Sequence, residues 1–465
     1  MIVENINGSF YKIAPNNGNI KVIIEKAKLL NFWENLGYRK LILKSGKYEL
    51  VKVNENSIVE IVEDYRLADE VRTYLETLNH QIVFEEFLKK DYASSSLIKS
   101  LKGIEIKFSN GNSNEAQFFY KNGVVKISST AHSITPYNEY EGYIWKDQVV
   151  DRVFSPTSEY KKSEFASFVN KLSGLDSNRF KSLRSIIGYM LHSYKDPTNS
   201  PAIILLDEDM DMEQEEAKGG KGKSLLARGI GKIIPYYFKE GKNFNKNFPF
   251  SGLEKHHKMI FIDDIKKGFD FESLFAIITG DFSFEKKFKN EEVISFSESP
   301  KILISSNYMV SGVRGFSEER RKVEFEVSSY YGPHLTPFED FGHRLFDDWD
   351  EMEWTRFDSF MLFCCKEFLK HGLVKADSIN LADNKLKNDT DPKFIEFMDE
   401  EITNDCKIDK RELFNSFKEK YKPDFILLSS NQFTKWLKIW ASSRGHITKI
   451  DKSNSKQYFE VIIKR

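Results

Sequence analysis

Ala217-Lys218-Gly219-Gly220-Lys221-Gly222-Lys223-Ser224 is the stretch from which the rest of the chain can be read. It spells A-x-x-x-x-G-K-S, a phosphate-loop pattern with alanine where the first glycine usually stands. Glycines at this spacing let successive backbone N–H groups turn inward around a polyphosphate. The lysine then reaches the β- and γ-phosphates, and the serine hydroxyl holds Mg²⁺. Lys218, Gly219, Gly220, Lys221, Gly222, Lys223 and Ser224 are therefore the candidate nucleotide-binding residues, with Ser224 also a candidate metal ligand. Leu225-Leu226-Ala227 follows and opens a helix whose positive N-terminal end faces the same anion. A lysine- and glycine-rich surface turn would carry the same letters, so the flanks decide.

Upstream, Pro201-Ala202-Ile203-Ile204-Leu205-Leu206 is an apolar run of buried-strand type. Downstream, Lys258-Met259-Ile260-Phe261-Ile262-Asp263-Asp264 is a second such run, ending in paired carboxylates. Parallel strands deliver residues at their carboxyl edge, where a phosphate loop also lies. Asp263 is thus placed to ligate Mg²⁺, and Asp264 to orient or deprotonate an attacking water. A third run, Pro300-Lys301-Ile302-Leu303-Ile304-Ser305-Ser306-Asn307, ends in an amide that can touch a γ-phosphate or its water. Asn307 as an ordinary strand-end turn residue is the alternative.

Between these runs, the alternation of Phe282, Phe284, Val293, Ile294 and Phe296 about a charged tip predicts a β-hairpin. Lys286, Lys287 and Lys289 lie near its turn, either as a finger on a nucleic-acid backbone or as guards of a solvated edge. Beyond the third strand, Arg320 and Arg321 precede the strand Val323–Val327. An arginine fork suits a transferring phosphate supplied by a neighbouring subunit. The alternative is an internal ion pair with Glu318 and Glu319; Arg314 is a third, weaker candidate for the same role.

The ordered set A-x-x-x-x-G-K-S, I-F-I-D-D, I-T-G-D…E-K-K, K-I-L-I-S-S-N and E-R-R-K-V-E-F resembles the superfamily-three helicases. Within them it is most similar to the helicase half of phage, plasmid and viral primase-helicases. The matching block covers about residues 200–330, less than a third of the chain. The resemblance implies an AAA+-like core, a hexameric homo-oligomeric ring, ATP and Mg²⁺ as cofactors, and 3′→5′ movement on single-stranded DNA. It further implies duplex or forked DNA as a substrate and a separate primase or polymerase as a partner. An origin-binding initiator, or a DNA-associated remodelling ATPase that does not unwind, is the rival function.

Composition narrows the setting. The 465 residues hold 69 Lys+Arg against 70 Asp+Glu, so nucleic acid must be held by a local basic surface rather than by bulk attraction. Three cysteines, Cys364, Cys365 and Cys406, make neither a disulfide framework nor a zinc site by themselves. The start lacks a signal-peptide pattern and no apolar run approaches eighteen residues, so the expected home is a bacterial host's cytoplasm, away from membranes.

The expected fold is a multidomain α/β chain: an α+β accessory domain (1–155), a helical collar (156–199), the phosphate-loop core with a parallel sheet (200–345), a helical segment and linker (346–390), and a winged-helix-like unit (391–465). In the first, Val22–Leu36 reads as a helix, residues 40–43 and 48–53 as a hairpin, and Asp69–Phe87 as one helix capped by Asp69. Gln117–Ile127 is a hairpin with Asn122-Gly123 at its turn. No catalytic constellation stands out there, and it reads as a binding module. Asp207–Glu216 is an acidic loop; Met212 and Lys218 occupy the places where a calcium loop needs glycine and glutamate, so calcium is rejected. Ala376–Pro392 reads as a linker. Asp409 and Ser429 or Ser430 cap the last two helices, and Lys435 and Lys438 on the second are candidate DNA contacts.

Overall fold

The computed structural model describes residues 6–16, 19–43, 46–209, 220–244, 248–285, 292–310, 320–444, 446–453 and 456–462. At its centre is a five-stranded, wholly parallel sheet of β1 (Ala202–Asp207), β2 (Tyr236–Glu240), β3 (Met259–Ile265), β4 (Lys301–Ser306) and β5 (Lys322–Val327). The spatial order is β2-β3-β4-β1-β5. β4 thus lies between β1, which ends at Asp207, and the strand that carries Asp263-Asp264.

Why these runs are continuously apolar is visible in their two faces. Ile203, Leu205, Met259, Phe261 and Leu303 point into one core, and Ile204, Leu206, Ile260, Ile262, Ile302 and Ile304 into another. A parallel sheet covered on both faces has no solvent side on which to alternate. The first face is covered by α1 (Glu164–Leu172), α2 (Ser177–Leu191), α3 (Lys223–Gly231) and α4 (Glu351–His371). α2 and α4 cross so closely that a Cβ on Gly188 would stand 2.1 Å from the Cys364 carbonyl oxygen, which only glycine permits. Cys364 and Cys365 are buried in that contact. The second face is covered by Phe250, Leu253, Phe271, Leu274, Ile277 and the short hairpin Phe282–Phe284 with Glu292–Ile294.

The amino-terminal part holds a three-stranded antiparallel sheet (residues 6–24), a five-stranded mixed sheet (38–104 with 144–145) and a four-stranded sheet (115–135 with 149–150). Ala116, Phe118, Val125 and Ile127 of the last share one core with α1, α2 and α4. After α4, the chain forms α5 (Leu381–Asp389), α6 (Pro392–Glu401), α7 (Lys410–Lys420) and α8 (Ser430–Ser443), packed on strands β6 (Cys406–Asp409), β7 (Ile447–Ser453) and β8 (Lys456–Ile462). Asp409 accepts the Arg411 N–H and Ser429 the Gln432 N–H, fixing the starts of α7 and α8.

Several expectations need correction. Val22–Ile24 is strand, pairing with Tyr11–Ile13, and the helix runs only over Lys26–Asn35; the β-branched run prefers the pleated surface. Asp69–Phe87 is two helices, Tyr65–Thr77 and Gln81–Lys89, broken where Asn79 adopts φ 55°. Asp69 therefore lies inside the first helix and caps nothing, and Leu78 is exposed. In the hairpin 115–128, Tyr120 pairs with Gly123, so Lys121-Asn122 make the turn and Gly123 (φ 140°) begins the next strand. The supposed linker contains α5, because Leu381 is buried against the sheet's second face and Leu386 in the carboxyl-terminal core.

Asp207 does not belong to a solvated loop either: it is the last residue of β1 and is buried. Just beyond it, the backbone is tied to the start of α5. Glu326 accepts the Ile379 and Asn380 N–H groups, and Asn380 Nδ2 donates to the Glu208 carbonyl at 3.0 Å.

Candidate nucleotide site

The carboxyl edge of the sheet gathers eight of the candidates, Gly220, Lys221, Gly222, Lys223, Ser224, Asp263, Asp264 and Asn307, around a cavity of about 480 Å³. Gly220 (φ 95°) and Gly222 (φ 91°) take the left-handed conformations that turn the loop into α3, whose first residue is Lys223. A Cβ on Gly222 would also press on Phe168 and Leu172 of α1 at 3.0–3.1 Å. Lys223 Nζ donates to Asp207 Oδ1 at 2.5 Å and to Asn307 Oδ1 at 2.8 Å. The Asn307 amide in turn donates to Asp264 Oδ1 at 3.0 Å. Ser224 Oγ lies 2.9 and 3.0 Å from the two Asp263 carboxylate oxygens.

Local backbone explains how two adjacent aspartates both face the cavity. Register between β3 and β4 shifts at Ile262–Ile265, and Asp264 sits at φ 55°. Its N–H leaves the ladder and donates to Ser305 Oγ at 2.9 Å, while the same hydroxyl donates to Asp263. The kink breaks the strand's alternation, so neither carboxylate is turned into the core. Lys242, in the turn after β2, closes the ring with an ion pair to Asp264 at 2.7 Å.

Burial governs the electrostatics here. It pulls the Lys223 ammonium below the usual lysine range, opposed by the carboxylates of Asp207, Asp264 and Asp263. It likewise pushes the Asp207 carboxyl up, opposed by Lys223 and Lys221. Lys221 is buried too and pairs with Asp209 at 3.0 Å.

A hard-oxygen set of one hydroxyl and one carboxylate beside a phosphate cradle suits Mg²⁺, which keeps several waters and takes few protein ligands. Ser224 and Asp263 fit that description. Among the described residues, no cluster of three or more His, Cys, Asp or Glu offers another metal site, and no helix is long and apolar enough to cross a membrane.

Other candidates lie elsewhere. Arg320 and Arg321 precede β5, at the edge of the sheet opposite the cavity. Six residues of strand at about 3.3 Å each, about 20 Å in all, run from them to the sheet's carboxyl edge. Arg321 lies over the Phe275 ring at 4.5 Å. Lys435 and Lys438 are exposed on α8. Lys218, Gly219, Lys286, Lys287, Lys289 and Arg314, with Glu318 and Glu319, lie outside the described residues.

Asp207, Lys242 and Ser305 were not anticipated. Asp207 carried the same signal as Asp263, an apolar run ending in a carboxylate; Lys242 and Ser305 carried none.

No protein-family model matches the chain, and no curated protein matches it. Solved structures that resemble it include the apo A form of the NrS-1 C-terminal region, at 13% identity and TM-score 0.38, covering 94% of this chain and 99% of that one. Another apo A-form structure of that region, spanning 305–718, gives 14% identity, TM-score 0.41, and 93% and 98% coverage. JCV helicase with a bound acetamide compound aligns over 50% of this chain and 63% of that one, at 14% identity and TM-score 0.28.

Proposed function

We propose that the chain is an ATP-hydrolysing DNA helicase or translocase of a replicating phage, plasmid or other mobile element, working as a ring on single-stranded DNA. The observation that supports this most is the meeting of Lys223, Ser224, Asp263, Asp264 and Asn307 at one end of a parallel sheet. Those residues are a lysine for phosphate, a hydroxyl and carboxylate for metal, a carboxylate for water and an amide between them.

Bound Mg²⁺ would offset charge on the β- and γ-phosphates. Lys223 holds the same phosphates, with Gly220 and Gly222 shaping the backbone cradle. Ser224 and Asp263 would hold the metal. Asp264 orients the attacking water and takes its proton, with Asn307 fixing that carboxylate's orientation. Arg320 and Arg321, too far from their own loop, serve a neighbouring subunit's site. The winged-helix reading of the carboxyl-terminal unit gives Lys435 and Lys438 to duplex DNA, and the hairpin lysines Lys286, Lys287 and Lys289 to the single strand.

Steady-state ATPase with and without single-stranded oligonucleotide, followed by strand displacement on a labelled fork, tests the proposal. Mg²⁺-dependent turnover that DNA stimulates, with displacement, is expected. Absence of turnover refutes it; stimulated turnover without displacement moves the assignment to a remodelling ATPase or an origin-binding initiator.

A further inference from the structure

At the end of β1 stands a carboxylate that phosphate binding does not require. Asp207 is 3% exposed, and its Oδ1 accepts an N–H from Lys223 Nζ at 2.5 Å. An ammonium has three N–H groups, and a second is committed to Asn307 Oδ1. Asp263 and Asp264 face the same ammonium from β3, and Lys221 faces Asp207 from the loop. A buried carboxylate is costly unless a cation answers it, so this one depends on the loop's lysines. Nucleotide phosphates would seek that same Lys223, and the two acceptors compete.

We propose that Asp207 is a positioning residue for Lys223, holding its ammonium at the foot of the loop until incoming phosphate takes it over. Nucleotide affinity is thereby set lower than the loop alone would give. The inference rests on the nucleotide reading above, yet the contact itself can be examined without nucleotide.

Asp207→Asn in the full chain keeps an oxygen for Lys223 but removes the charge, and Asp207→Ser replaces it if the amide variant fails to fold. Titrated with a fluorescent ADP analogue and Mg²⁺, the variant should bind about tenfold more tightly, since one unit charge near the phosphates is gone. Unchanged or weaker binding overturns the proposal. A second readout needs no nucleotide: a double-mutant cycle of Asp207→Asn and Lys223→Met in urea unfolding reads whether the two side chains are coupled. Strong non-additivity is expected, and additive losses overturn the proposal. A wild-type chain that binds no nucleotide refutes the function proposed above, while the cycle still decides whether Asp207 holds Lys223.

Discussion

Ser305→Ala removes one hydroxyl that both aspartates depend on. Ser305 is buried, accepts the Asp264 N–H at 2.9 Å and donates to Asp263. Because Asp264 has left the ladder at φ 55°, its N–H has no strand neighbour to turn to. An orphaned buried donor costs about 1–3 kcal/mol, and a lost bond to a charged acceptor a comparable amount. Urea unfolding should therefore lose about 2–3 kcal/mol. A functional loss of about the same size in free energy should come on top of this fall in stability. Without the bridge, Asp263 and Asp264 move independently, and a misplacement of about 1 Å at a reacting centre costs about a hundredfold in rate. Turnover should drop by that order and demand more Mg²⁺ for half-maximal rate, while KM for ATP moves little because the loop itself is untouched. Ser305→Thr, which keeps the hydroxyl, should recover much of the rate. Wild-type turnover in a folded Ser305→Ala chain would refute the reasoning.

Lys223→Ala should abolish turnover and also cost about 3 kcal/mol, since it leaves Asp207 buried without its main partner; adding Asp207→Asn should restore stability but not turnover, as paired urea melts and ATPase assays would reveal. Burial holds Lys301 down to about 7, where its ammonium is received by the Tyr189 and His192 carbonyls at the end of α2. Its unfolded value is near 10.5, so the unfolded state binds more protons between pH 7 and 10.5 and stability rises over that window; Lys301→Met should flatten the rise by up to about 1.4 kcal/mol per pH unit in denaturation curves. Arg321→Ala, inactive alone, should regain ATPase when mixed with Asp264→Asn subunits that exchange with it, and no recovery at any ratio would remove the arginine from a neighbour's site.

The core was legible because its strands are buried on both faces and end in chemistry. Three continuous apolar runs located β1, β3 and β4, the alternating Val323–Val327 located β5, and Asp263, Asp264 and Asn307 at the ends of β3 and β4 line the cavity. β2 went unread, since Tyr236 and Phe238 at the sheet's open edge alternate weakly and Phe238 is half exposed. Lys242 follows that strand, so it was missed with it. The Asp263–Ser305–Asp264 bridge comes from a register shift between strands that no single run encodes. α5 failed for another reason: its few apolar residues serve two different cores, so no helical stripe forms. The amino-terminal misreadings have separate causes: Val22–Ile24 is claimed by its hairpin partner Tyr11–Ile13, and the helix expected over 69–87 breaks at Asn79.

The tie between Glu326, Glu208 and the start of α5 has a mechanical consequence. The carboxyl-terminal unit is stapled, through Ile379 and Asn380, to residues that stand beside Asp207 at the mouth of the loop. Arg179 of α2 grips the same joint, donating to the carbonyls of Asp377 and Glu326. A load applied to α8 would therefore reach the sheet at its carboxyl-edge rim, where the cavity lies, instead of being lost in a slack tether. Torque on one body becomes strain at the other, with residues 377–380 as the axle between them.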